Sequence, residues 1–219
     1  MAFYIPVKVD TPTRETLLRR CYTSIRRIYP DASITLLLSK DSLPLTMEYD
    51  ATIRTNPGYS VVGALQAYLE DQSSDYAYIL HDSMVVTHEL PIPKSHVLPI
   101  FHFDGMLDCG RYDTCYQDTL QSNYTEFRQT YTQGILGASF AIQKGVHLTL
   151  PNITTKHQLE ALERMLPYYI TKQGYTLQPS LCGSIFDCNP WDNPQWTNDP
   201  LESFLESRIP IVKTLVFRL

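Results

Sequence analysis

Asp82 is the acid best placed by sequence to do chemistry, because it follows the apolar run Tyr76 to Leu80, YAYIL, with only His81 between. In an open α/β sheet ligands bind outside the carboxyl ends of the strands, so an acid there points into a cleft. A carboxylate in that place is a hard oxygen ligand, and magnesium needs only one or two of them when substrate phosphates and water fill its shell. Capping of a turn or of the next element is the competing use. Glu160 and Glu163 make a second acidic pair, on a helix whose apolar side is Leu159, Leu162, Met165 and Leu166. That stripe leaves room for at most one of them to turn toward a cleft edge. A surface salt bridge is the alternative for each. Asp104, Asp108 and Asp113 add further acids with no assigned role.

Other chemistries lack their residues. Gly137-Ala138-Ser139 is not followed by the glycine of a G-x-S-x-G elbow, which excludes that serine hydrolase signature. The N-terminal PVKVDTPTRE is a poor version of the glycine-rich, basic phosphate loop expected of a sugar nucleotidyltransferase. Cys21, Cys109, Cys115, Cys182 and Cys188 form two C-x5-C spacings but no short zinc knuckle, and an odd count suits buried thiols in a reducing compartment.

These residues must be positioned by strands and helices that the hydrophobic pattern outlines. FYIPVKV at 3–9 reads as a short strand with Pro6 near its start. A helix follows, capped by Thr13, with Leu17, Leu18, Cys21, Ile25 and Ile28 on one stripe and Pro30 as its stop. Ser33 to Leu38 reads as an inner parallel strand that delivers Ser39, Lys40 and Asp41 at its carboxyl end. YDATIR at 49–54 is a third strand, Asn56-Pro57-Gly58 a turn, 60–70 a helix, and YAYIL the next strand. Alternating strands and helices of this kind predict an α/β sheet with helices on its faces.

The later texture differs. Residues 91–133 read as edge strands and irregular loop, 134–144 as an extended segment entering a strand, and 155–173 as a helix ended by Gly174. The tail 187–200 is turn-rich, and LVFRL at the end reads as a last strand. A single domain over 1–219 is expected, from 219 residues with 43% hydrophobic and 19% charged composition. The formal charge of -5 argues against a nucleic-acid partner, since no basic run compensates it. Residues 1–9 lack a basic segment followed by a long apolar one, so neither a signal peptide nor a transmembrane segment is expected, and a cytoplasmic location follows. The sequons at Asn123 and Asn152 matter only in a secreted chain.

Taken together, FYIPVKVD, a helix ending in YP, ITLLLSKD, YAYILHDSM and GILGASFAIQKG resemble a nucleotide-sugar glycosyltransferase of the GT-A type. The similarity spans most of the chain, although no single motif is diagnostic. It implies a central, mostly parallel sheet with helices on both faces, a nucleotide-binding half over 1–90 and an acceptor-side half over 91–219. In that family a D-x-D motif after the fourth core strand holds Mn2+ or Mg2+ against the donor diphosphate. His81 and Asp82 stand at that place, with Met84 where the second Asp would be, so the motif is degenerate.

Carried over by position, Pro6, Val7 and Asp10 line the nucleotide site, Asp41 lies near the base, and Asn56 belongs to the turn before a phosphate- or ribose-contacting helix that here offers Gln66 but no arginine. Asp10 as a loop acceptor and Lys40 as an exposed lysine are the alternatives. Gly137, with Gly134 and Ala138, falls on the acceptor-side wall near the donor sugar; a bulge or strand bend accounts for these small residues equally well. Glu160 or Glu163 becomes the general base, and Asp187 a further acid approaching the metal or acceptor. Trp191 and Trp196, with fifteen tyrosines in the chain, suit packing against sugar faces or ordinary half-buried contacts. The implied reaction moves a hexosyl or deoxyhexosyl group from a UDP- or GDP-linked donor to a glycan or other hydroxyl acceptor, with inversion favoured. A non-catalytic nucleotide-sugar or protein-interaction domain derived from a transferase is the alternative.

Overall fold

The computed structural model describes residues 1–104, 109–131, 133–184 and 210–213. Asp108, Asp187, Cys188, Trp191, Trp196 and the expected strand LVFRL lie outside the described residues. The elements in chain order are β1 (Ala2–Val7), α1 (Pro12–Ile28), β2 (Ser33–Leu38), β3 (Thr52–Thr55), α2 (Ser60–Asp71), β4 (Tyr76–Ile79), β5 (Met84–Val86), β6 (Val97–Pro99) and β7 (His102–Asp104). They continue with α3 (Cys109–Leu120), α4 (Tyr124–Thr130), β8 (Gln133–Ile135), β9 (Phe140–Gln143), α5 (Lys156–Lys172) and β10 (Ile211–Lys213).

The main sheet has the order β3-β2-β1-β4-β9-β6. The first four strands are mutually parallel and β9 runs against both its neighbours, so the sheet is mostly parallel, as expected. β1 is buried at every position, which is what an inner strand covered on both faces requires. Pro6 is tolerated in this central strand for a local reason. β1 pairs with β2 along its whole length but with β4 only as far as Tyr4, whose carbonyl accepts from Leu80 N–H at 3.2 Å. Alternate residues aim their backbone groups at the same neighbour, so Pro6 turns its missing donor toward β4 just beyond the end of that ladder. A gap between β1 and β4 begins there.

Alternation along the strands divides the core into two layers. Phe3, Ile5, Val7, Ile34 and Leu36 pack under α1 through Leu18, Cys21 and Ile25. Ala2, Tyr4, Leu37, Ala77 and Ile79 pack on the other face against Val61, Leu65 and Tyr68 of α2 and Leu159, Leu162 and Leu166 of α5. Helices therefore cover both faces. The Tyr4 hydroxyl donates to Asp71 at 2.8 Å and ties β1 to the end of α2. Glu15 on α1 accepts from Thr46 N–H at 2.7 Å, the Thr46 hydroxyl at 2.8 Å and Met47 N–H at 3.2 Å. Burial favours its neutral form, but these bonds outweigh it and hold the carboxyl below the ordinary glutamate value.

Two expectations change. α1 is capped by Thr11, whose hydroxyl accepts from Arg14 N–H at 3.3 Å, and not by Thr13; Pro12, with its fixed φ, takes the first helical position and moves the start forward. The stretch 91–133 is not mainly strand and loop, because α3 and α4 lie within it. Tyr112, Tyr116 and Leu120 recur every four residues and close, with Phe127, a third small core against Ala161, Met165 and Tyr168 on the back of α5. Asp113 belongs to this packing: it accepts from the Tyr124 hydroxyl at 3.1 Å and pairs with Arg128 at 3.8 Å. Among the described residues no helix is long and apolar enough to cross a membrane.

Candidate functional site

The strand order reverses direction between β1 and β4, since β2 and β3 extend to one side of β1 and β4 begins the other. In open α/β sheets the crevice at such a switch point is where ligands bind. Here it is the mouth of a cleft of about 330 Å3. Pro6, Val7 and Lys8 reach it from β1, Ser39 and Asp41 from β2, and His81 and Asp82 from β4. Asn56, Gly58, Tyr59 and Ser60 come from the turn into α2, Arg14 from α1, and Lys156 and Leu159 from the start of α5. The second half of the chain thus contributes a wall to the cleft expected of the first.

Asp82 is 7% exposed, and its Oδ2 lies 3.4 Å from Lys8 N–H across the gap beyond Pro6. The lysine side chain swings the other way, with Nζ 2.6 Å from Asp41. The hydrogen bond from Lys8, together with one from the Ser39 hydroxyl, pulls the Asp41 carboxyl down to about 2, and the same bond raises the lysine. Arg14 stands 4.0 Å from Asp10, and Lys156 stands 3.5 Å from Glu160. The start of α2 carries no side-chain cap. Among the described lining residues three are cations, each with an acid partner, and an entering anion would compete with those pairs.

The cleft's shape depends on Asn56 and His81. Asn56 is buried; its Oδ1 accepts from Gly58 N–H at 3.2 Å and its Nδ2 donates to the Ser60 carbonyl at 3.0 Å, so its amide braces the turn that starts α2. His81 Nε2 lies 2.6 Å from the Gly137 carbonyl. A carbonyl can only accept, so Nε2 carries the proton. Gly137 has φ 62°, a left-handed conformation suited to glycine, in the turn that precedes β9, and it is not among the described lining residues of the cleft. Gly134 is crowded by the Phe103 ring. The buried Cys21 thiol donates to the His81 carbonyl at 3.6 Å, and burial pushes its pKa up.

The remaining sequence candidates divide. Asp10 is exposed and outside the cleft lining, as is Lys40. Glu160 does not line the cleft; it accepts from the Tyr112 hydroxyl at 2.8 Å and pairs with Lys156, which does, and, at 3.8 Å, with Arg111. Burial pushes its carboxyl up, but Tyr112 and the two cations prevail and hold it below the ordinary value. Glu163 is half-buried on the same helix and does not line the cleft. Met84, at the position of a second motif acid, is fully buried in the core beneath α1. The end of β4 therefore brings one carboxylate to the cleft, and Asp41 is held by Lys8. Among the described residues no three His, Cys, Asp or Glu side chains come together; a magnesium ion would have Asp82 as its carboxylate here, with substrate phosphates and water for the rest of its shell.

Sequence reasoning missed Arg14 and Lys156 as site residues and reached Lys8 only as part of the run from Pro6 to Asp10. The available signal was charge at the first turns of two helices, where Arg14 and Lys156 oppose the helix dipole. No protein-family model matches the chain, and no curated protein matches it. Among solved structures it is similar to the galactosyltransferase LgtC in complex with donor and acceptor sugar analogs, at 8% identity and a TM-score of 0.40, over 98% of this chain and 87% of that one.

Proposed function

We propose that this chain is a glycosyltransferase that binds a nucleoside diphosphate sugar at the β1/β4 crevice and transfers the sugar to an acceptor hydroxyl. The observation that carries this reading is the meeting of Lys8, Arg14, Lys156 and Asp82 at the switch point of a mostly parallel sheet. The order of motifs that resembles GT-A enzymes agrees with it. UDP- and GDP-linked hexoses or deoxyhexoses are the donors to try first.

In the reaction the acceptor oxygen forms a bond to the anomeric carbon, the bond from that carbon to the diphosphate oxygen breaks, and the nucleoside diphosphate leaves with the electron pair. For inversion the hydroxyl proton passes to a carboxylate. Glu160 pairs with Lys156, which lines the cleft, and this places it ahead of Glu163. Its lowered pKa makes it a weaker base than an ordinary glutamate.

A second reading, a nucleotide-sugar-binding domain without turnover, draws on the buried Met84. A panel of UDP- and GDP-sugars, each assayed for binding and for release of the nucleoside diphosphate, with and without manganese or magnesium, separates the two. The transferase reading expects binding and slow hydrolysis of at least one donor. Binding without release, with or without added acceptors, favours the second reading, and no binding at all removes both.

A further inference from the structure

We infer that Lys156 is shared between Glu160 and the donor diphosphate, so that Glu160 is released to act as a base only when the donor is seated; the inference rests on the nucleotide-sugar reading above. Lys156 is the first residue of α5 and lines the cleft with a side chain that is 83% exposed. Glu160 stands one turn along the same helix, with its carboxylate 3.5 Å from that ammonium group, and it does not line the cleft. One cation therefore touches both the opening and the acid beside it.

Two features make this pair weak. A lysine four residues before a glutamate is the less favourable order on a helix, and a cation in the first turn faces the positive end of the helix dipole. A diphosphate offers several charged oxygens in place of one carboxylate, so it competes well for the same ammonium group. The other partners of Glu160 stay where they are. Tyr112 is buried on α3, and its hydroxyl donates to Glu160 Oε2 at 2.8 Å. Arg111, also on α3, stands 3.8 Å away and is not among the described lining residues. On α5 itself, Arg164 donates to the Glu160 backbone carbonyl at 2.7 Å with its guanidinium over the Tyr112 ring, His157 stacks on that ring, and Glu163 is the remaining charged neighbour.

In this structure burial raises the Glu160 carboxyl, while Tyr112, Lys156 and Arg111 together lower it by more. Loss of Lys156 to a diphosphate removes one of the lowering charges and brings a negative group nearer, and both changes strengthen the base. Glu160 then takes the acceptor hydroxyl proton as the new bond to the anomeric carbon forms and the nucleoside diphosphate leaves. An acceptor that arrives first meets a glutamate still tied to Lys156, so the donor binds before the acceptor.

The test is a carboxyl NMR titration of the full chain carrying isotope-labelled glutamate, with Glu160→Gln identifying the Glu160 signal. It is run without nucleotide and with saturating UDP or GDP in the presence of magnesium. The Glu160 midpoint is expected below the ordinary glutamate value in the free protein and is expected to rise when the diphosphate binds. Lys156→Met should raise the midpoint in the free protein and shrink the further rise, whereas Lys156→Arg should keep both the low midpoint and the rise. Arg111→Met is the control for charge alone: it should raise the free midpoint and leave the rise on binding intact. A midpoint that the bound diphosphate does not move, or one that Lys156→Met leaves unchanged in the free protein, overturns the inference and leaves the nucleotide-sugar reading standing. Failure of both UDP and GDP to bind removes the inference and the reading together.

Discussion

Asp82→Asn is expected to lower turnover of the preferred donor sugar by about 10- to 100-fold while the protein stays folded. Because the β1/β4 ladder stops at Tyr4, the gap beyond it admits the Asp82 side chain, which faces the cleft with one oxygen toward Lys8 N–H. An asparagine can keep that backbone contact through its amide oxygen, so the gap and the strand ends retain their geometry. What disappears is the charge. A charged acceptor for a donor hydroxyl contributes about 1.5–3 kcal/mol, and the neutral amide recovers only part of this. Steady-state release of the nucleoside diphosphate, read beside circular dichroism of the same variant, checks it. Unchanged turnover would remove Asp82 from the donor site.

Gly63→Ala is expected to destabilise the protein by about 1–3 kcal/mol, against the ordinary preference of a helix for alanine. Gly63 lies in the first turn of α2, where a Cβ would fall 1.7 Å from Asn56 Oδ1 and 2.5 Å from Gly58 N. Neither atom can yield cheaply, since Asn56 is buried and its amide holds the turn at both ends. Helix propensity returns about 1 kcal/mol and does not offset the clash and the disturbed hydrogen bonds. Gly110→Ala is the matched control: a Cβ there meets nothing within 4 Å, so it should be neutral or stabilising. In a domain of this size each kcal/mol moves Tm by about 2–4 °C, so thermal unfolding of the pair resolves the difference. Because Asn56 also lines the cleft, Gly63→Ala should weaken donor binding as well. Equal stabilisation by the two alanines would contradict the packing of α2 on this turn.

The parts of the fold legible in the sequence were those with uninterrupted apolar signals. ITLLL and YAYIL became inner strands because both their faces are covered, and the stripe of Leu159, Leu162 and Leu166 became the buried side of α5. The helices α3 and α4 were obscured because their core is aromatic and their sequence rich in Asp, Thr, Gln and Tyr, so composition spoke for loop where the four-residue recurrence of Tyr112, Tyr116 and Leu120 spoke for helix.

At the site, strand ends announced themselves, and Pro6, Val7, Asp41, Asn56, His81 and Asp82 do meet along one cleft. The cations did not. A lysine after β1 or at the start of a helix looks like any solvated charge until the fold shows which opening it borders. Lys40 lies between the lining residues Ser39 and Asp41, and Asp10 two residues beyond Lys8, yet both are exposed and outside that lining.

The most direct measurement is a crystal structure of the chain with UDP or GDP bound. The diphosphate is expected over the carboxyl ends of β1 and β4, within reach of the Lys8 and Lys156 side chains and beside Asp82, with Lys8 drawn away from Asp41. A nucleotide seated elsewhere on the molecule, or one that points its phosphates away from those strand ends, would contradict it.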